Sequence, residues 1–334
     1  MEINVEIPAS RVPEKITINN CNYNLLPAEF YEREDNDICS LEQNLLKMEE
    51  QAKRVSSPII YGEFIDEAHY LNSIEILLLS TAETRNREIF LQKIVSPRIK
   101  AKNKFLEIGP GDGGLVKKVG ADFGSITIVD NNEKILKLMQ STFSKKTKMI
   151  QCDFVDFYPE KACYDLILMS HILYYFDHNL WEELIIRAYR ALTPGGALVI
   201  IISNDLEKSK IESFFGGCSL PIEKTILNCD SILGSVSEKY ASVESFMSRD
   251  RVSMQHIANI LLNDAKCKAD ERSVIDYLDR LCKKDSRYSI STYREGSLNC
   301  VSPIKARFLT FLQSKYQAEK SLVPSYASVG SISF

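Results

Sequence analysis

A short apolar run, Phe105-Leu106-Glu107-Ile108, leads directly into Gly109-Pro110-Gly111-Asp112-Gly113-Gly114 and then into the apolar Leu115 to Val119. A strand, a glycine turn and a helix in that order leave few architectures open. Glycine supplies the positive φ and close backbone approach such a turn requires, and the N–H groups at the following helix start can receive electronegative ligand atoms. Alternation continues downstream. Strand signals at 125–129, 149–152, 166–169 and 197–202 interleave with helical periods at 133–142 and 181–191. This pattern predicts an α/β fold with a largely parallel sheet, helices on its faces and a ligand outside the carboxyl ends of the strands.

The flanks are less regular. Residues 1 to about 38 carry no firm element, whereas Ser40 with Gln43 has capping-box spacing and opens a helix to about Arg54. A second helix is expected from about Glu63 to Leu79, with Ile65, His69, Asn72 and Ile76 near one side. Ser80 with Glu83 reads as the N-cap of a third, over 83–94, that buries Ile89, Phe90 and Ile94 and stops at Pro97. Amphipathic helices of this kind suit a cap over the cleft or packing against the sheet. Beyond the core, 206–215, 253–262 and 272–282 have helical periods, and 288–292 and 306–311 could be late strands. The expected division is 1–99 as extension and helical cap, 100–205 as ligand-binding core, 206–320 as sheet completion with substrate-site additions, and a flexible Ser-rich tail at 321–334.

Composition narrows the partners. The formal charge of -4 provides no global attraction to nucleic acid, and the lysine clusters at 100–104 and 145–148 flank core strands as solvated entries. No apolar stretch approaches the length of a membrane span, and no leader-like segment opens the chain. The nine cysteines show no zinc or redox spacing, which predicts free thiols and a cytoplasmic location.

Acidic residues stand at or just beyond the ends of three successive strand signals. Glu107 and Asp112 frame the glycine turn. Asp130 has the reach to accept from two ribose hydroxyls, with Asn131 to orient it, although a strand-end Asp also caps turns. Asp153 could accept from an adenine amino group and Phe154 could wall the ring, or the two could form a turn carboxylate beside a core aromatic. A nicotinamide enzyme shares the glycine loop and ribose acid. A phosphate loop fits less well, because no Gly-Lys-Ser/Thr follows the glycines.

The run Phe105 to Gly113, the acids at Asp130 and Asp153, and the turn Leu192-Thr193-Pro194-Gly195-Gly196 before an apolar strand together resemble a class I S-adenosylmethionine-dependent methyltransferase. The resemblance implies a Rossmann-like, mostly parallel seven-stranded sheet ending in an antiparallel hairpin, with S-adenosyl-L-methionine as cofactor. It implies that Glu107 and Gly109 serve the methionine side, Asp130 the ribose and Asp153 the adenine. The cofactor set expected on this basis is Tyr70, Glu107, Gly109, Pro110, Gly111, Asp112, Gly113, Asp130, Asn131, Asp153, Phe154 and Ser170.

On the acceptor side, Ser170-His171-Ile172-Leu173-Tyr174-Tyr175 follows the fourth core strand. His171 could take a proton or simply form a hydrogen-bonded wall, and Tyr174 and Tyr175 could orient or stack against an acceptor. Tyr70, Ser80-Thr81-Ala82-Glu83, Phe90 and Ile172 to Tyr175 are similar to the histamine N-methyltransferase-like branch, in which early helices and a Tyr-rich segment enclose a small amine. Glu83 could attract a cationic amine or cap its helix. Asp177-His178-Asn179, with Glu182 at capping distance from Asn179, is expected to shape a loop, and no metal is expected. The expected activity is methyl transfer to a small nitrogenous acceptor. O-methylation of a metabolite is the enzymatic alternative, ahead of protein or RNA methylation, and a noncatalytic cofactor-binding module is the alternative of a different class. Oligomeric state stays open.

Overall fold

The computed structural model describes residues 15–18, 21–25, 37–54, 60–80, 83–140, 143, 146–203, 215, 222–234, 238–244, 251–264, 267–284 and 305–313. In chain order, these form strands β1 (Lys15–Ile18) and β2 (Cys21–Leu25), helices α1 (Asp37–Arg54), α2 (Glu67–Leu79) and α3 (Glu83–Ile89), then β3 (Lys104–Ile108) and α4 (Gly114–Gly120). β4 (Ser125–Asp130), α5 (Glu133–Gln140), β5 (Thr147–Gln151), β6 (Tyr164–Ser170), α6 (His178–Arg190) and β7 (Leu192–Ser203) complete the alternating core. α7 (Ile222–Leu233), β8 (Glu238–Glu244), α8 (Arg251–Asp264), α9 (Glu271–Lys284) and β9 (Lys305–Gln313) follow.

The strands form one sheet in the order β1-β2-β8-β9-β7-β6-β3-β4-β5. β3 pairs in parallel with β4 on one side and β6 on the other, while β9 runs antiparallel to both β7 and β8. The expected α/β class I arrangement is therefore present, with two strands added beyond the expected seven. β1 and β2 form an antiparallel pair that joins the edge through a parallel contact between β2 and β8. After β5 the chain returns past β3 to lay down β6, so the strand order reverses between β3 and β6. Ligands bind at the carboxyl ends of strands at such a switch point.

The strands buried on both faces explain the apolar runs. In β6, Leu166 and Leu168 pack into the layer formed with α4, α5 and Phe90, and Ile167 and Met169 pack into the opposite layer with Trp181, Leu184 and Ile185 of α6. Each such side chain contributes about 1.5–3 kcal/mol by leaving water. At the opposite end from the ligand crevice, buried Asp165 accepts from the backbone N–H groups of Asn103 and Lys104 and from the Thr193 hydroxyl, at 2.7, 2.9 and 2.6 Å. The Thr193 turn thereby ties the start of β7 to the entries of β3 and β6.

Outside the sheet layers, Met48 and Ala52 of α1, Ile76 and Leu77 of α2, and Ile257, Ala258 and Ile260 of α8 share a third apolar cluster with Val274 and Tyr277 of α9. Helices from both ends of the chain thus build one cap. Its polar seams are satisfied across long sequence separations: Asn259 accepts from Gly62 N–H at 2.6 Å and donates to the Glu63 carbonyl at 3.0 Å.

Several local expectations change. α2 begins at Glu67 behind an Asp66 N-cap that accepts from His69 N–H, so Ile65 precedes the helix and is exposed. Ser80 closes α2: its N–H donates to the Ile76 and Leu77 carbonyls and its hydroxyl to Leu77 O at 2.6 Å. The serine side chain is thereby committed backwards, not to Glu83. The helix expected over 83–94 passes into a π-helical turn at Phe90–Val95 and a 3-10 turn at Ser96–Arg98 that contains Pro97. Asp177, not Asn179, caps α6, accepting from Asn179 N–H at 2.9 Å. The elements expected at 206–214 and 288–292, and the tail at 321–334, lie outside the described residues.

Candidate active site

Four strand ends converge at the switch point. β3 delivers Glu107 and the glycine turn, β4 ends at Asp130, β5 leads to Asp153, and β6 ends at Ser170, one residue beyond the Ile108–Met169 pair. Gly109, Gly111 and Gly113 all have positive φ, at 65, 59 and 74°. The turn is held by Gly109 N–H donating to Val129 O at 2.9 Å and Gly113 N–H donating to the buried Pro110 carbonyl at 3.1 Å. Asp112 turns back on the helix start and accepts from Gly114 N–H at 3.0 Å. A Cβ on Gly109 would stand 2.5 Å from Ile172 Cδ1, whereas one on Gly111 would meet nothing within 4 Å. The turn is thus packed on its inner side and open at Gly111.

Glu107 is the electrostatic anomaly. Strand alternation places it on the face that carries Phe105, Ile128 and Leu168, and it is only 1% exposed with its Oε2 buried and lacking a hydrogen-bond partner. Burial pushes its carboxyl well above the ordinary carboxylate range, partly opposed by the Arg87 guanidinium and reinforced by the Asp112 charge. An unpartnered polar atom of this kind is expensive unless a ligand completes it.

The remaining acids are already oriented. Asp130 accepts from Asn132 N–H at 2.7 Å; burial raises its pKa and that hydrogen bond lowers it. Asn131 is exposed beside it. Asp153 accepts from Val155 N–H at 2.9 Å, and Phe154 is buried against Phe176 with ring centroids 6.3 Å apart. Arg187 of α6 braces this loop by donating to the carbonyls of Phe154, Val155 and Phe157 at 3.2, 2.6 and 3.3 Å. These carboxylates supply acceptors for a diol and an amino group, Glu107 an anionic acceptor for a cation, and Gly111 the space for close backbone approach. The donor set fits S-adenosyl-L-methionine.

The residues expected on the acceptor side lie across the cleft mouth. His171 holds a left-handed backbone, φ 55°, while its N–H donates to Ile201 O at 2.8 Å and its ring stacks on Tyr174 at 6.0 Å. Such a conformation costs a non-glycine residue about 1–2 kcal/mol. Tyr174 is buried with Trp181 in the core, so it backs His171 from below. Tyr175 is 55% exposed, and its hydroxyl meets that of Tyr70 from the cap, the rings edge to face. The Glu83 side chain lies outside the described set. Among the described residues, no three His, Cys, Asp or Glu side chains are grouped to hold a metal, and no helix is long and apolar enough to cross a membrane.

Sequence reasoning missed Arg87. Its Nη1 donates to Ser170 Oγ at 3.1 Å and its Nη2 to Thr84 Oγ1 at 3.4 Å. The readable signal was its position three residues before Phe90, which places it on the inward side of a helix expected to bury Phe90.

A family model described as a methyltransferase domain matches residues 105–196. A 129-residue stretch is 32% identical to the hybrid PKS-NRPS synthetase gkaA of Penicillium citrinum, which is 35% of this chain and 3% of the synthetase. The synthetase poxE of Penicillium oxalicum matches at 31% over 129 residues, again 3% of its length. The chain thus corresponds to a small part of these relatives. Among solved structures, a Bacillus halodurans C-125 protein crystallised as a candidate methyltransferase has 13% identity and a TM-score of 0.48, covering 67% of this chain and 97% of that one. Phosphoethanolamine N-methyltransferase 2 of Haemonchus contortus has 14% identity and a TM-score of 0.44, covering 75% and 57%. Residues 105–196 thus match a methyltransferase domain, and the sheet around them has the Rossmann-like class I arrangement. The family model covers methyltransferase domains at large and does not single out the histamine N-methyltransferase-like branch.

Proposed function

We propose that the chain transfers a methyl group from S-adenosyl-L-methionine to a small nitrogenous acceptor held between the cap and the ends of β3 and β6. The observation that carries the donor side is the buried, unpartnered Oε2 of Glu107 beside a glycine turn that is open at Gly111. In this reading Glu107 takes the donor's ammonium, the Gly109–Gly113 backbone with Pro110 and Asp112 shapes its methionine end, and Ser170 and Tyr70 border it. Asp130 with Asn131 takes the ribose, while Asp153 and Phe154 take the adenine.

When bound, the sulfonium supplies an activated methyl and its own leaving group. The protein's work is then to align the acceptor and keep water out. Tyr70 and Tyr175 close the mouth, and their aromatic faces and phenol oxygens suit a small cationic or polar amine. His171, supported by Tyr174, either takes the acceptor's proton or sets the pocket wall.

Incubation with isotopically labelled S-adenosyl-L-methionine and a panel of amines, phenols and alcohols, read by product mass, tests this function. Label on nitrogen is expected. Label found only on oxygen refutes the acceptor class, and donor binding without transfer to any member of the panel favours a noncatalytic module.

A further inference from the structure

The loop that follows β5 is neither helix nor strand, yet its shape is set from two sides. Inside the turn, Asp156 N–H donates to Asp153 O at 3.0 Å and Phe157 N–H to Phe154 O at 3.3 Å, while the buried Phe154 ring seats in the core layer with Trp181, Leu184 and Ile185 of α6. From outside, one nitrogen collects the loop's carbonyls: Arg187 Nη1 lies 3.2, 2.6 and 3.3 Å from the oxygens of Phe154, Val155 and Phe157. Three carbonyl dipoles aimed at one point repel one another unless a cation stands there. The Arg187 side chain is 11% exposed, its Nη2 donates to Glu183 one turn earlier on α6, and its guanidinium lies 4.0 Å from the centroid of the Tyr158 ring. These contacts hold the charge in one place.

We propose that Arg187 is a positioning residue for purine recognition: by clamping the carbonyls of Phe154, Val155 and Phe157 it holds Asp153 where a carboxylate oxygen can accept from the exocyclic amino group of the donor's adenine. This rests on the donor reading above. Asp153 Oδ1 is already committed to Val155 N–H at 2.9 Å, and the Val155 carbonyl is the one nearest Arg187 Nη1. The second carboxylate oxygen is thus directed by a residue whose own backbone the guanidinium holds. A hydrogen bond weakens steeply once its angle or distance slips. A slack loop can therefore still cover a purine by its faces while losing the ability to tell an amino group from an oxo group. Among the described hydrogen bonds of Arg187 none goes to Asp153, so its effect runs through the loop, from a helix that packing fixes on the sheet.

The test compares S-adenosylhomocysteine with S-inosylhomocysteine, which carries an oxo group and a ring N–H in place of the amino group and ring nitrogen, by calorimetric titration of the full chain. The wild-type protein is expected to prefer the adenine ligand by about 10–100-fold, the range of one hydrogen bond to a charged group. Arg187→Met, which keeps an unbranched stem but no donor, should cut that preference by about 5-fold or more; Arg187→Lys, which keeps a cation, should retain more of it. A merely structural role would weaken both ligands alike, so an unchanged ratio in Arg187→Met overturns the proposal. Should Arg187→Met fail to fold, the double variant Tyr158→Leu with Glu183→Gln, both at exposed positions, frees the guanidinium from its supports. It should lower the preference by about 2–5-fold, the worth of an exposed ion pair and a cation–π contact, and an unchanged ratio there overturns the proposal. Wild-type binding without purine preference refutes Asp153 as the adenine residue and the proposal with it. Failure of the wild-type chain to bind S-adenosylhomocysteine refutes the donor reading itself, a result distinct from a preference that survives the loss of Arg187.

Discussion

Replacing Glu107 with Gln should make the ligand-free protein more stable and the ligand-bound protein less so. Glu107 is sealed from solvent, its Oε2 has no hydrogen-bond partner, and burial outweighs the favourable field of Arg87 in setting its pKa. The folded chain therefore holds this proton more tightly than the unfolded chain, whose carboxyl titrates near 4.5. Stability linked to that proton is whole below pH 4.5 and is lost as pH rises through the elevated folded value. Gln has the same shape and no charge. Gln still buries an uncharged amide there but needs no proton to stay neutral, so at neutral pH Glu107→Gln should raise Tm by a few degrees. The gain should shrink as pH falls toward 4.5. With S-adenosylhomocysteine at about 100 times its Kd, the wild-type chain should gain about 2.7 kcal/mol by linkage, and the variant much less. Thermal unfolding across pH, with and without ligand, reads both effects. A variant less stable than wild type at neutral pH without ligand would refute the burial argument, and equal stabilisation of both proteins by ligand would refute the role of Glu107 in binding.

Asp130→Ala should weaken S-adenosylhomocysteine by about 10–100-fold, because a charged acceptor for hydroxyl donors is lost; unchanged affinity in a direct titration would argue against ribose recognition. Gly111→Ala should fold with a penalty of about 1 kcal/mol from its positive φ but lose donor binding, whereas Gly109→Ala should be destabilised further by the contact with Ile172. Unfolding midpoints that place the two variants in the opposite order would contradict the described turn. At His171, the Gly variant should be more stable than the Ala variant by about 1 kcal/mol in urea unfolding, since only glycine relieves the left-handed backbone. Both should lose turnover if the ring acts on the acceptor, and retention of the full chemical rate would assign the ring to shaping the pocket.

The core was legible because its signals are local and doubly determined. Leu166 to Met169 had to be apolar throughout because β6 is buried on both faces, and Asp130 fell at a strand end that the apolar run itself marked. The unread parts depend on partners far along the chain. β1 and β2 are four and five residues long, and β2 finds its place beside β8 through Asn24 and Tyr240, a pairing that no period within 1–38 could announce. The cap was read as N-terminal, yet its interior is shared with α8, where Ser73 meets His256 at 3.1 Å. Ser80 misled because a serine hydroxyl serves a preceding carbonyl as readily as a following N–H, and two residues of spacing cannot decide between them.

The same distinction between local and distant determinants separates the two halves of the site. Glu107 through Gly114 is set within one strand–turn–helix unit, so donor chemistry can be recognised from a few adjacent residues. The proposed acceptor side would draw on Tyr70 from α2, on His171 and Tyr175 after β6, and on packing by helices at both ends of the chain. Consecutive cap helices carry Tyr70 toward the acceptor mouth and Arg87 toward Ser170 and Glu107. Tyr70 is supported by the packing of α2 against α8, and Arg87 by the apolar anchors Phe90, Leu91 and Val95 that hold α3 on the sheet. A substitution that shifts α2 against α8 should therefore act through Tyr70 on the proposed acceptor mouth, whereas one confined to the glycine turn should act on the donor alone.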